Sequence, residues 1–98
     1  MEVVITKSKK SNKKLDAIIN GSKTVSFGDP SYQDYRQHKD KDRKEAYIAR
    51  HKKNEDWNAS GAKSAGFWSK HILWAKPTLK ASIDDINKRF KNLNVKMK

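Results

Sequence analysis

The sequence predicts one small α+β domain, a three-stranded antiparallel meander followed by two or three helices packed on one face of the sheet. Three observations predict it. Three short β-branched or aromatic stretches, "VVITKS", "KLDAIIN" and "KTVSFG", fall within the first 28 residues. Beyond them the apolar residues change from strand to helical spacing. A length of 98 residues allows one modest core, burying roughly 60–65% of the surface the unfolded chain exposes. The expected organisation is a β-rich part over residues 1–28, a helical part over 40–90 and a frayed tail over 91–98.

Each element follows from its residues. Leu15, Ala17 and Ile19 alternate onto one face, as do Val25 and Phe27, and Asn20-Gly21 between them tolerates the positive φ of a tight hairpin. Between the first two strands, "KSKKSNKK" (residues 7–14) reads either as a solvated loop that protects the sheet edge or as a polyanion contact. Gly28, Asp29 and Pro30 are turn residues that end the sheet. "DKDRKEAYIARHKK" then offers Asp40 or Asp42 as an N-cap, with acids early and bases late as the helix dipole favours. Its apolar stripe is Tyr47, Ile48 and His51. "NEDWNASG" reads as a loop, and a second helix is expected over about residues 62–74. There Phe67, His71 and Trp74 share one stripe and Trp68, Ile72 and Ala75 the next. Pro77 ends this helix or begins another, whose positions Leu79, Ile83, Ile86 and Phe90 recur at helical spacing. Trp68, Ile72, Leu79, Ile83 and Phe90 are assigned to the core.

Charge is the strongest compositional feature. Lys and Arg number 23 against 11 Asp and Glu, a net charge of +12. The excess is spread through the chain, which points to a basic folded surface and not to a basic tail on a neutral domain. Such a surface attracts polyanions in general: nucleic acid, an anionic membrane face or an acidic protein. The chain has no cysteine, so disulfides and thiolate metal sites are excluded, a usage that fits a reducing compartment. No apolar run is long enough to span a bilayer and the N-terminus does not read as a signal peptide. The expectation is a soluble, intracellular protein.

Over about residues 26–90, the elements "GDPSY", "HKD", "YIARHKK", "EDW", "SAGFWSK", "LWAKPTL" and "ASI" resemble a family of small, basic, uncharacterised proteins of large nucleocytoplasmic DNA viruses, chloroviruses among them. The resemblance implies a viral source and a place in the virion, as a minor capsid or internal component. It carries over no catalytic residue.

The residues themselves argue against chemistry. His38, His51 and His71 are not set in any HExxH arrangement, there is no Gly-rich phosphate loop, and no paired carboxylates stand in a defined context. His51 and Glu55 stand four apart, but one His and one Glu do not make a metal site. No cofactor, metal or small-molecule substrate is expected. The expected binding residues are Lys9, Lys10, Lys13 and Lys14 of the loop, Arg43 and Arg50, and Lys63, Lys70, Lys76 and Lys80. Their expected partners are other virion proteins, DNA or RNA phosphates, or an anionic membrane surface. Tyr32, Tyr35 and Trp57 are the aromatics available to stack on unpaired bases.

Overall fold

Three short strands begin the core. The computed structural model describes residues 1–98, the side chain of Ala59 apart. Strands β1 (Glu2–Lys7), β2 (Leu15–Ile19) and β3 (Lys23–Phe27) pair antiparallel in sequence order, Ile5 opposite Ala17 and Ala17 opposite Val25. At the β2–β3 turn Asn20 and Gly21 both take positive φ, 51° and 72°, and the Ser22 N–H closes on the Ile19 carbonyl at 3.1 Å. Two successive left-handed residues match the twist of the strands, so the Asn-Gly pair sets this register.

The sheet has a fourth strand, formed by residues that the sequence places in a frayed tail. Strand β4 (Asn94–Met97) lies parallel to β1, giving the order β3-β2-β1-β4. The sheet is therefore mixed and four-stranded, not a three-stranded meander. Val95 is buried and Leu93 just before it is buried too, so residues 91–98 do not form a loose tail. Asn87 replaces the missing next strand: its side-chain carbonyl accepts the Val95 N–H at 2.8 Å and its amide donates to the Val95 carbonyl at 3.0 Å.

Among the described residues four α-helices accompany the sheet, one more than the upper expectation. The first, α1 (Tyr35–His38), is a single turn capped by Asp34, too short to leave a periodic pattern. Helix α2 (Lys41–His51) starts at Asp40, whose carboxylate accepts the Asp42 and Arg43 N–H groups. The expected helix over 62–74 is α3 (Ala65–Trp68) running directly into a π-helix, Ser69–Trp74. The wider π turn advances fewer degrees per residue, so the expected stripe divides. Phe67 and His71 remain together at 4.5 Å between ring centroids, whereas Trp74 turns to stack on Tyr47 of α2 at 4.4 Å. Pro77 lies between this segment and α4 (Leu79–Arg89), which starts at its N-cap Thr78.

One hydrophobic cluster joins these parts. Val3, Ile5, Ala17, Ile19, Phe27 and Val95 point from one face of the sheet towards Phe67, Trp68, Ile72, Leu73, Ile83 and Ile86. Of the five residues assigned to the core, Trp68, Ile72 and Ile83 are buried, while Leu79 and Phe90 are half-buried against the cluster's rim. The Trp68 indole N–H donates to the Ala62 carbonyl at 2.6 Å, so its polar edge is satisfied inside the core. Among the described residues, no helix is long and apolar enough to cross a membrane.

Candidate functional site

The basic loop is held in place by a buried carboxylate. Its backbone is folded on itself, Ser8 N–H to the Lys14 carbonyl at 3.2 Å and Lys13 N–H to the Lys10 carbonyl at 3.3 Å. At its end the Lys14 N–H is shared between the Phe27 and Gly28 carbonyls. Gly28 has φ +87°, and a Cβ there would press on Leu73 and Lys14, so only glycine allows the loop to lie this close to β3. The Lys14 ammonium then donates to the Tyr32 carbonyl at 2.6 Å, to Asp34 at 2.8 Å and to the Gln37 side-chain carbonyl at 2.8 Å. All three of its N–H bonds are engaged.

Asp34 is the centre of this arrangement. It is 2% exposed, accepts from Lys14 and from the Arg36 guanidinium at 3.0 Å through both oxygens, and caps α1 through the Arg36 backbone N–H. Burial alone would raise its pKa, but hydrogen bonds and charge from Arg36 and Lys14 outweigh that and hold the carboxyl below its ordinary range. Lys14 is expected from the sequence to be a binding residue. It is instead a structural cation, because its partners leave it no donor for an incoming anion.

Two concavities adjoin around this hub. The shallower, of about 510 Å³, is lined by Lys7, Lys9, Lys10, Lys13, Lys14 and Arg36, with no acidic residue among its lining. With Lys14 and Arg36 both held on Asp34, four other lysines line this hollow, of which Lys7, Lys9 and Lys10 are exposed. The larger, of about 660 Å³, is shared between the loop, the 28–34 turn, α2 and the α3–π segment. Arg43 and Arg50 line it from α2, and Tyr32, Tyr47 and Trp74 supply aromatic surface. Lys13 and Lys14 line both, so the two form one continuous surface. Among the described residues, neither Arg43 nor Arg50 takes part in an ion pair.

The remaining expected cations lie outside these concavities. Lys80 is paired with Asp84 at 3.1 Å, so it is not the partnerless cation the sequence suggests. Lys63 is exposed and lines neither hollow. Lys70 and Lys76 belong to a different group. Lys70 lies over the Trp57 ring at 5.5 Å; burial first, then the charges of Arg89 and Lys44, push its pKa down. Lys44, which sequence reasoning passes over, donates to the Ala75 carbonyl at 2.7 Å and sits 4.9 Å above the Tyr35 ring. Lys44 and Lys70 hold elements together as much as they present charge, and Lys76 is half-buried and lines neither hollow.

The aromatic candidates also separate. Tyr35 is buried and Trp57 is half-buried beneath Lys70, whereas Tyr32 is 70% exposed. Exposure decides which can stack on a ligand, and it has no signature in the sequence. As for chemistry, α2 ends at His51, which leaves Glu55 beyond its C-cap, and the His51 Nδ1–H donates to the Tyr47 carbonyl at 2.9 Å. Among the described residues no three His, Cys, Asp or Glu side chains are grouped to hold a metal.

A family model described as a family of unknown function (DUF5754) matches residues 3–51, half of the chain. The chain belongs to this family. No curated protein and no solved structure matches it. The DUF5754 segment contains β1 to α2, and with them every cation that lines the two concavities. The α3–π segment, α4 and β4, which complete the core, lie beyond the DUF5754 match. The DUF5754 description assigns no activity and names no viral source.

Proposed function

We propose that the protein is a non-enzymatic polyanion-binding protein whose preferred ligand is the phosphate backbone of nucleic acid. The observation that carries this reading is the loop concavity, lined by Lys7, Lys9, Lys10 and Lys13, the first three of them exposed, with no acidic residue among its lining. A concave cationic surface suits a strand or rod that can enter it; a bilayer is flat, and a hollow of this kind would touch it only at the rim. Phosphate contacts release condensed counterions and read no sequence, so binding is salt-sensitive and sequence-tolerant. The resemblance to small basic proteins of large DNA viruses supports a setting in the virion, where a minor capsid or internal component meets packaged genome, acidic capsid surface or an internal membrane.

Gel-shift titrations over a salt series test the reading. Affinity for duplex or single-stranded probes should fall steeply with salt and change little with sequence. The Lys9→Glu/Lys10→Glu variant should bind more weakly, and its log–log salt slope on duplex should be shallower by about 0.9 for each phosphate that the two lysines neutralise in the wild type. Absence of binding at low salt would exclude the proposal. For the virion setting, the measurement is copy number per particle by quantitative mass spectrometry of purified virions. A fixed, symmetry-related number supports a capsid component, and a number that scales with genome length supports a nucleoprotein.

A further inference from the structure

We propose that the two adjoining concavities form one track for single-stranded nucleic acid, with the Tyr32 ring as the platform for an unpaired base. This rests on the phosphate-binding reading above and adds the class of ligand to it. The first ground is continuity: the lysine-lined hollow and the larger groove share Lys13 and Lys14, so a strand leaving the loop passes between Tyr32 and α2. The second is what the groove presents. Arg43 and Arg50 stand seven residues apart on α2, two helical turns, and both are exposed. Two exposed arginines on one face of the helix can both reach phosphates of the same strand.

The third ground is Tyr32 itself. Its ring is 70% exposed, yet its backbone is firmly held: the N–H donates to the Asp29 carbonyl at 3.2 Å and its carbonyl accepts from Lys14 at 2.6 Å. An aromatic ring displayed from a fixed turn, beside cations and over a groove, offers a π-face with no packing role to explain it. In a duplex the faces of the bases are already stacked on one another, so only an unpaired strand can use such a ring. The volume of about 660 Å³ lies in the range of small-ligand sites, room for a nucleotide or two and too little for a duplex to settle into. Asp29, Asp34 and Glu55 also line the groove. Asp34 is neutralised by Lys14 and Arg36, leaving two carboxylates against the arginines and Lys13.

Fluorescence anisotropy on the whole chain tests this with three probes: labelled oligo(dT), a blunt duplex of the same length, and an abasic strand of the same phosphate number. Oligo(dT) should bind tightest, and the abasic strand on the order of tenfold more weakly, the equivalent of one stacked base. Tyr32→Ala, at an exposed position whose melting temperature should match the wild type, should weaken oligo(dT) on the order of tenfold and leave the duplex within about twofold. Tyr32→Phe should keep full affinity, and Arg43→Ala/Arg50→Ala should weaken oligo(dT) and the abasic strand alike. If duplex and oligo(dT) bind equally and Tyr32→Ala changes neither, the single-strand track is wrong while the phosphate-binding proposal stands. A Tyr32→Phe variant as weak as Tyr32→Ala would also overturn stacking as the mode of binding. If no probe binds at low salt, both proposals fall.

Discussion

Asp34 shows how one residue can fix a basic surface without weakening it. Its carboxylate joins the end of the lysine loop, through Lys14, to the first turn of α1, through Arg36 and the capped N–H groups. Two cations are consumed, but the neighbouring lysines gain a rigid support. Removing the carboxylate leaves two partly buried cations without an acceptor, a more costly change than never having had the pair. Asp34→Ala should therefore destabilise the fold by roughly 2–4 kcal/mol, a range lowered because Lys14 and Arg36 keep some access to water. In denaturant melts, Lys14→Met alone and combined with Asp34→Ala should give a non-additive cycle with a coupling on the order of 1–3 kcal/mol. Additive effects would mean that the pair does not act as the tie described here.

At the scale of elements, local signals are legible in the sequence and non-local ones are not. The Asn20-Gly21 hairpin, the Asp40 cap of α2 and the apolar stripe of α4 are each written in a few adjacent residues, and each forms where expected. Strand β4 escapes a sequence reading because its pairing partner lies some ninety positions away at the other end of the chain. It is also an edge strand: Val95 is its one buried position, and the exposed Lys96 beside it belongs to the polar pattern that guards such edges. The π turn escapes it because a hydrogen bond from i to i+5 leaves the same composition as an α-helix. In the site, the loop lysines, Arg43 and Arg50 can be read as cations, but the engagement of Lys14 and the exposure of Tyr32 depend on packing between elements. Strand β4 depends in turn on Asn87, whose side chain bonds both polar groups of Val95. Asn87→Ala should cost about 1–3 kcal/mol by leaving those groups unpaired at a half-covered edge. Hydrogen exchange should show it first at the Val95 amide, with the β2–β3 hairpin protected as before; uniform loss of protection would mean that β4 does not open separately.

The whole molecule should respond to acid through a buried histidine before Asp34 gives up its ion pairs. His71 lies between Phe67 and Phe90, with centroid separations of 4.5 and 5.1 Å, and is 3% exposed. Its Nε2 faces the Trp57 carbonyl at 2.9 Å, and since a carbonyl only accepts, Nε2 carries the proton and Nδ1 is the bare nitrogen. That Nδ1 is buried with no partner, so a second proton would place an unpaired cation in the core. Burial first, with Lys70 and Arg89 adding repulsion against the opposing Trp57 hydrogen bond and Asp85, pushes the pKa down to about 4. In the unfolded chain the ordinary value is about 6.5. Between those values the unfolded state binds the proton and the folded state does not, so stability falls as pH drops through that window. The loss amounts to roughly 2–4 kcal/mol, a large part of what holds so small a domain. Asp34, whose folded pKa is lowered, acts below that window: its contribution is present above the ordinary carboxylate range and is lost as pH falls through its folded value. Denaturant midpoints measured from neutral pH downward should show the first decline between about pH 6.5 and 4. In His71→Gln, which keeps a donor for Trp57 and cannot take a proton, that decline should be absent while the later acid loss remains. The net charge of +12 adds general repulsion at low pH in both proteins alike, so the difference between the two curves isolates His71. Curves that run parallel across that window would show that the core accommodates the imidazolium, and the assignment of the first acid step to His71 would be wrong.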